Sequence, residues 1–201
     1  MNFKGGSVEN TKEELEMLFN KELLEKRQLY LREVDSMSTL WILSSLTYLN
    51  ARSKNDPIEL CITSTGGGAR QGLDICDKIR LSDAPVIGIV SGVANSIAAV
   101  VLQACHVRKA ARNSVIGLHY VSNNTVNTFM LDPDGENLYG KEDMEKVKAF
   151  LAPGFEIQRR IIKILAERTK RNPVEIIHVL NKEKDFRAEE ALEFGLIDEV
   201  I

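Results

Sequence analysis

A chain of 201 residues, 44% hydrophobic and 27% charged, is long enough to close one domain around a substantial core and has the composition of a soluble globular protein. Its 26 basic and 29 acidic side chains leave a net charge of −3, which argues against a nucleic-acid partner, and no apolar run approaches the roughly 20 residues needed to cross a membrane. Three scattered cysteines (Cys61, Cys76, Cys105) and three widely spaced histidines argue against a disulfide framework or a bound metal.

The first residues are polar and charged where a signal peptide needs an apolar stretch, so the expected compartment is cytoplasmic. Residues 8–25 carry Leu15, Leu18, Phe19, Leu23 and Leu24 at helical spacing, an amphipathic helix in need of a partner surface. Gln28 to Leu31 alternate as a short strand. Asp35 and Ser36 can cap a helix running to about Ala51, with Leu40, Ile42, Leu43, Leu46 and Leu49 facing inward. Pro57 to Ile62 reads as the next strand. Ser64-Thr65-Gly66-Gly67-Gly68 follows, and then a helix to about Leu81.

A glycine run of this kind suits a main chain that must adopt unusual angles or approach a ligand closely. A phosphate loop would place Lys-Ser/Thr after the glycines; Ala69-Arg70-Gln71 stands there instead. An oxyanion site asks only for backbone N–H groups, and a plain tight turn asks for nothing more than the glycines.

Pro85 to Ala99 (PVIGIVSGVANSIAA) organises the chain. Val86 to Val90 reads as a buried strand, Ser91-Gly92 as its break, and an Ala-rich helix begins near Ser96. A serine at such a junction can hold its hydroxyl at a cleft, beside the free N–H groups of a helix start. Small residues also occur there simply because a helix packs tightly on a sheet. Val115 to Leu118 is the following strand, and it ends in His119, from which an imidazole can reach a neighbouring turn.

The stretch 120–140 is polar and turn-rich, and Asp132-Pro133-Asp134-Gly135 marks a reversal within a hairpin-like excursion. Lys141 to Lys170 is a long helical pattern, expected to kink or split at Pro153-Gly154. Pro173 opens a helix to Leu180; a small helix at Ala188 to Phe194 stops at Gly195, and Leu196 to Ile201 closes the chain as a strand. Strands and helices alternating at this spacing imply βαβ crossovers and a largely parallel sheet, covered on both faces.

In this order the parts resemble the ClpP peptidase family, within the ClpP/crotonase fold. The segments that carry the resemblance are Glu25 to Leu31 (EKRQLYL), Asn55 to Gly68 (NDPIELCITSTGGG), Gly92 to Ser96 (GVANS), Val115 to His119 (VIGLH) and Ala188 to Val200 (AEEALEFGLIDEV). Together they cover the chain from about Leu24 to Ile201. The resemblance implies an α/β fold of repeated βαβ units with a long protruding handle helix. It implies a single domain over 1–201, with an N-terminal helical segment at 1–25 and a handle region at 120–170.

It also implies a serine endopeptidase that hydrolyses peptide or unfolded-protein substrates inside an oligomeric chamber and needs no cofactor. Ser96 falls on the nucleophile, His119 on the general base, and Gly67 and the N–H of Ile97 on the oxyanion donors. The family's acid, an Asp, corresponds to Glu183, with Asp185 as the alternative. The implied assembly is a homo-oligomeric sevenfold ring, alone or stacked in a pair, with no nucleic-acid or membrane partner.

The family's other partner is a Clp-type ATPase, but here Glu59 and Cys61 replace the aromatic residues of its docking pocket, which counts against that partnership. Thr65 replaces a proline, Asn181-Lys182 replaces a charged pair beside the acid, and the 125–140 excursion is longer than usual. These departures keep open a catalytically impaired ring subunit. A crotonase-type acyl-CoA enzyme on the same fold would have no use for the serine–histidine pair.

Overall fold

The computed structural model describes residues 20–121 and 141–201, with side chains in the second stretch from Gly154 onward. Of the expected N-terminal helix only 20–25 falls inside this range, and it is helical; the excursion at 122–140 lies outside the described residues.

Thirteen elements follow. Strand β1 (Gln28–Leu31) leads to helix α1 (Ser36–Arg52), then β2 (Ile58–Ser64), α2 (Ala69–Arg80), β3 (Val86–Asn95), α3 (Ile97–Ala104), β4 (Val107–Ala110) and β5 (Val115–Leu118). The second stretch holds α4 (Lys141–Thr169), α5 (Pro173–Asn181), β6 (Lys184–Arg187), α6 (Ala188–Phe194) and β7 (Glu199–Val200). The strands form one seven-stranded sheet in the order β1-β2-β3-β4-β7, all parallel, with β5 paired to β3 and the antiparallel β6 paired to β5 alone.

Local chemistry starts and stops these elements as the residue types demand. Asp35 accepts from the Ser38 N–H at 2.7 Å while the Ser38 hydroxyl reaches back to the Asp35 N–H, a reciprocal cap worth about 1 kcal/mol. Asn172 and Glu175 repeat the arrangement at α5, ahead of Pro173 at its first turn. Gly195, at φ +92°, ends α6 in the left-handed conformation.

The core is built on one face of the sheet. Leu29, Leu31, Leu60, Ile62, Val86 and Val90 are buried there beneath Ile42, Leu46 and Leu49 of α1, Ile75 and Ile79 of α2, and all eight residues of α3. The other face is only half covered in the single chain: Tyr30 is exposed, and Glu59, Cys61, Ile87 and Ile89 are half-buried. The strands therefore alternate, and among the described residues helices cover one face of the sheet and not both.

Four further expectations are corrected. Leu40 points to solvent, because the buried stripe of α1 runs through Thr39, Ile42, Ser45, Leu46 and Leu49 and leaves residue 40 about 160° from its centre. The helix α4 is not split at Pro153-Gly154 but runs through them, since a proline removes one donor and leaves the other ladder bonds in place. The closing strand is confined to Glu199–Val200.

Finally, Ser91-Gly92 does not end β3; it marks the point where the strand changes partners. Ile87 to Val90 pair with β4, and Val93 to Asn95 pair with β5. Buried Ser114 closes the fork, its hydroxyl donating to the Val90 carbonyl at 3.0 Å and accepting from the Gly92 N–H at 3.2 Å. This fork delivers both Ser96 and His119 to the same end of the sheet.

Candidate functional site

Ser96 is the single residue between β3 and α3. Its backbone lies at φ +57°, ψ −129°, a region a side-chain-bearing residue occupies at a cost of about 1–3 kcal/mol. Its N–H donates to the Gly117 carbonyl at 2.9 Å, so the β3–β5 ladder extends one bond beyond the strand and ties the serine to the strand that ends at His119. Ile97 opens α3, and the first-turn N–H groups of a helix have no partner within it.

The glycine run is bound in place from the opposite side. The Val34 N–H donates to the Gly66 carbonyl at 3.0 Å, the Gly68 N–H donates to the Val34 carbonyl at 2.6 Å, and the Ser64 hydroxyl accepts the Gly66 N–H at 3.1 Å. The N–H of Gly67 is used by none of these bonds. Glycine is required twice here. A Cβ on Gly67 would stand 2.4 Å from the Val34 oxygen, and one on Gly66 would stand 2.8 Å from the Ser96 Cβ. The positive φ of both residues, +106° at Gly66 and +142° at Gly67, adds to the exclusion of any side chain.

Ser96, Ile97, Gly67 and His119 all line one cleft of about 270 Å³. Its remaining wall is largely apolar, with Ile161 and Leu165 from α4 and Leu180 from α5. Sequence reasoning named these four residues separately, and the fold brings them together. His119 is held by its own neighbour: its Nδ1 lies 2.5 Å from the Tyr120 carbonyl oxygen, a contact that requires Nδ1–H, so that in the neutral ring Nε2 is the acceptor. The following residue is anchored to α4, the Val121 N–H donating to Oε1 of buried Gln158 at 2.8 Å. Burial pushes the Tyr120 phenol above its usual pKa, so it is neutral at physiological pH.

The two candidate acids occupy different positions. Glu183 is exposed, at φ +47° in the turn that leads into β6, its N–H donating to the Leu180 carbonyl at 3.2 Å. The last β5–β6 pair is Leu118 with Lys184, so the pairing ends one residue short of both His119 and Glu183. Asp185 is also exposed and pairs with Gly117. Among the described residues, neither carboxylate is hydrogen-bonded to His119.

Sequence reasoning missed Val34, Gln158 and the Tyr120 carbonyl, which act through contacts that only the folded chain creates. Gly66 could have been singled out from its place in the glycine run. Among the described residues, no three His, Cys, Asp or Glu side chains converge to hold a metal ion.

A family model described as Clp protease matches residues 10–201. The chain belongs to the Clp protease family. Among similar proteins, the ATP-dependent Clp protease proteolytic subunit 1 of Chlamydia muridarum is 29% identical over 192 residues, 93% of this chain and 92% of its own length. The subunit of the same name from Chlamydia trachomatis serovar D is 28% identical with the same coverage. That of Protochlamydia amoebophila is 28% identical over 89% of this chain and 82% of its own. The α/β architecture described above is consistent with that family, and no described helix is long and apolar enough to cross a membrane.

Proposed function

We propose that the protein is a serine endopeptidase of the ClpP type, acting on peptides or unfolded chains. The observation that carries this reading is the convergence of Ser96, His119, Gly67 and Ile97 on one cleft. With Nδ1–H bonded to a carbonyl, His119 offers Nε2 to take the Ser96 Oγ proton as Oγ attacks the scissile carbonyl carbon. The oxyanion that forms is met by the N–H groups of Gly67 and Ile97, each worth about 3 kcal/mol in the transition state. His119 then returns the proton to the leaving amine, and water releases the acyl group by the same steps in reverse. Glu183 is the acid of this proposal: it and His119 each adjoin the last β5–β6 pair, and in the working triad it takes over Nδ1–H from the Tyr120 carbonyl. The apolar wall of Ile161, Leu165 and Leu180 suits an apolar substrate side chain.

The names of the relatives support a proteolytic subunit, and we assign the chain to a homo-oligomeric ring of single-domain subunits in the cytoplasm. In such a chamber folded proteins are kept from the cleft. Glu59 and Cys61, in place of the docking-pocket aromatics, count against a Clp-type ATPase as its unfolding partner. A fluorophosphonate probe tests the chemistry: the protein is labelled, and Ser96→Ala is not. A stable monomer by light scattering would overturn the ring.

A second reading is a ring subunit without turnover. It is favoured by the bond from His119 to Tyr120, in place of one to a carboxylate. Absence of labelling in freshly folded, assembled wild type would select it.

A further inference from the structure

Three residues lie in one row across three strands behind the cleft. Asn95 of β3 pairs with Gly117 of β5, and Gly117 pairs with Asp185 of β6. Register partners project to the same face of a sheet, and the middle member of this row has no side chain. A Cβ placed on Gly117 would stand 2.5 Å from Asn95 Oδ1 and 2.6 Å from Asp185 Oδ1. The two side chains therefore lean into the same space, over a glycine that they bury.

Asn95 Oδ1 is buried and has no hydrogen-bond partner. As placed, it is an acceptor sharing that space with a carboxylate, which is another acceptor. An amide can be turned end for end, and doing so presents its Nδ2–H to the carboxylate, replacing the conflict with a charge-assisted hydrogen bond. Among the described residues Asp185 has no other hydrogen bond or ion pair, so nothing competes for it.

We propose that Asn95 and Asp185 form a hydrogen-bonded pair across Gly117 that positions the serine, the histidine and Glu183 relative to one another. This role rests on the peptidase reading. Asn95 immediately precedes Ser96. Gly117 receives the Ser96 N–H on its carbonyl and stands two residues before His119. Asp185 stands two residues after Glu183. Among the described residues strand β6 has a single neighbour in the sheet, β5, so the pair ties it by side chains to the strand that carries the serine. Asp185 is thereby committed to Asn95, and Glu183 is the carboxylate left for His119. Both members are positioning residues and do not touch the reacting atoms.

The test is a swap in the full-length protein, read by the rate of fluorophosphonate labelling and by melting temperature. Asn95→Asp sets two carboxylates against each other and is expected to slow labelling about tenfold at neutral pH and to lower the melting temperature. The double variant Asn95→Asp/Asp185→Asn restores donor and acceptor with their ends exchanged, and is expected to return within about twofold of wild type in both readouts. A double variant as impaired as Asn95→Asp, or more so, would overturn the pair. Loss of melting temperature with an unchanged labelling rate in Asn95→Asp would overturn its positioning role. If wild type itself is not labelled, the peptidase reading fails and the positioning role fails with it, while the melting temperatures of wild type and the two variants still decide whether the pair exists.

Discussion

Gly66 and Ser96 are packed together, so closely that a Cβ on the glycine would stand 2.8 Å from the Cβ of the serine and 3.4 Å from its hydroxyl oxygen. The serine is thus located by a backbone that presses on it, as well as by the strand behind it. Gly66→Ala must push Ser96 away or give up the Val34 bonds that hold the glycine run. The expected outcome is a labelling rate down by about 100-fold, because a displacement near 1 Å is enough for that. The same substitution should destabilise the fold by about 1–3 kcal/mol, measured by urea unfolding.

The backbone of Ser96 stores strain that the fold maintains for the sake of its side chain. At φ +57°, ψ −129° a glycine is at ease and a serine is not. Ser96→Gly is expected to raise stability by about 1 kcal/mol, the relief of strain being partly offset by the greater freedom of the unfolded chain. Labelling should vanish in the same variant. A lower melting temperature would show that the serine conformation is unstrained.

Far from the cleft, Arg108 and Asp198 fix the end of the chain to β4. Buried Arg108 donates to the Gln103 side chain at 2.6 Å, to the Gly195 carbonyl at 2.7 Å and to both oxygens of Asp198. Burial alone would raise the Asp198 pKa, but the bonds from the Arg108 side chain and N–H outweigh it and hold the carboxyl below its usual value. A carboxylate with a depressed folded pKa stabilises the fold above the unfolded value, near ~4, and that contribution is lost as pH falls through the lower folded value. Asp198→Asn is expected to cost about 3 kcal/mol at neutral pH, since it leaves a buried guanidinium with fewer partners. The wild-type and variant stability curves should converge below about pH 4. Curves that stay parallel down to pH 3 would sink this account.

The thiols should mark the core from inside. Burial pushes Cys76 well above the usual thiol range and Cys105 up to about 12, so neither forms a thiolate at pH 8. Both are expected to resist iodoacetamide in the native protein and to react on unfolding, as mass spectrometry of the digested protein would show.

Much of the site was legible in residue order. The glycine run, the serine at a strand-to-helix junction and the histidine closing a strand each break a local pattern, and a broken pattern is visible without coordinates. The helix caps at Asp35 and Asn172 were legible for the same reason, because capping chemistry acts over three residues. What could not be read was anything decided by register. Whether Ser91-Gly92 ends β3 or forks it depends on which strands arrive beside it, and Ser114 seals that fork from 22 residues away. The partner of His119 Nδ1 was equally hidden, since a backbone carbonyl leaves no mark in a sequence.

By itself, then, the order of amino acids determined which groups could do chemistry and which segments could be strand or helix, because both follow from side chains and their near neighbours. The tertiary structure alone decided that Val34 braces the glycines, that Leu40 faces solvent, and that Asn95 and Asp185 meet over Gly117. Each depends on contacts between distant parts of the chain, and those positions are set only when the sheet closes and the core fills.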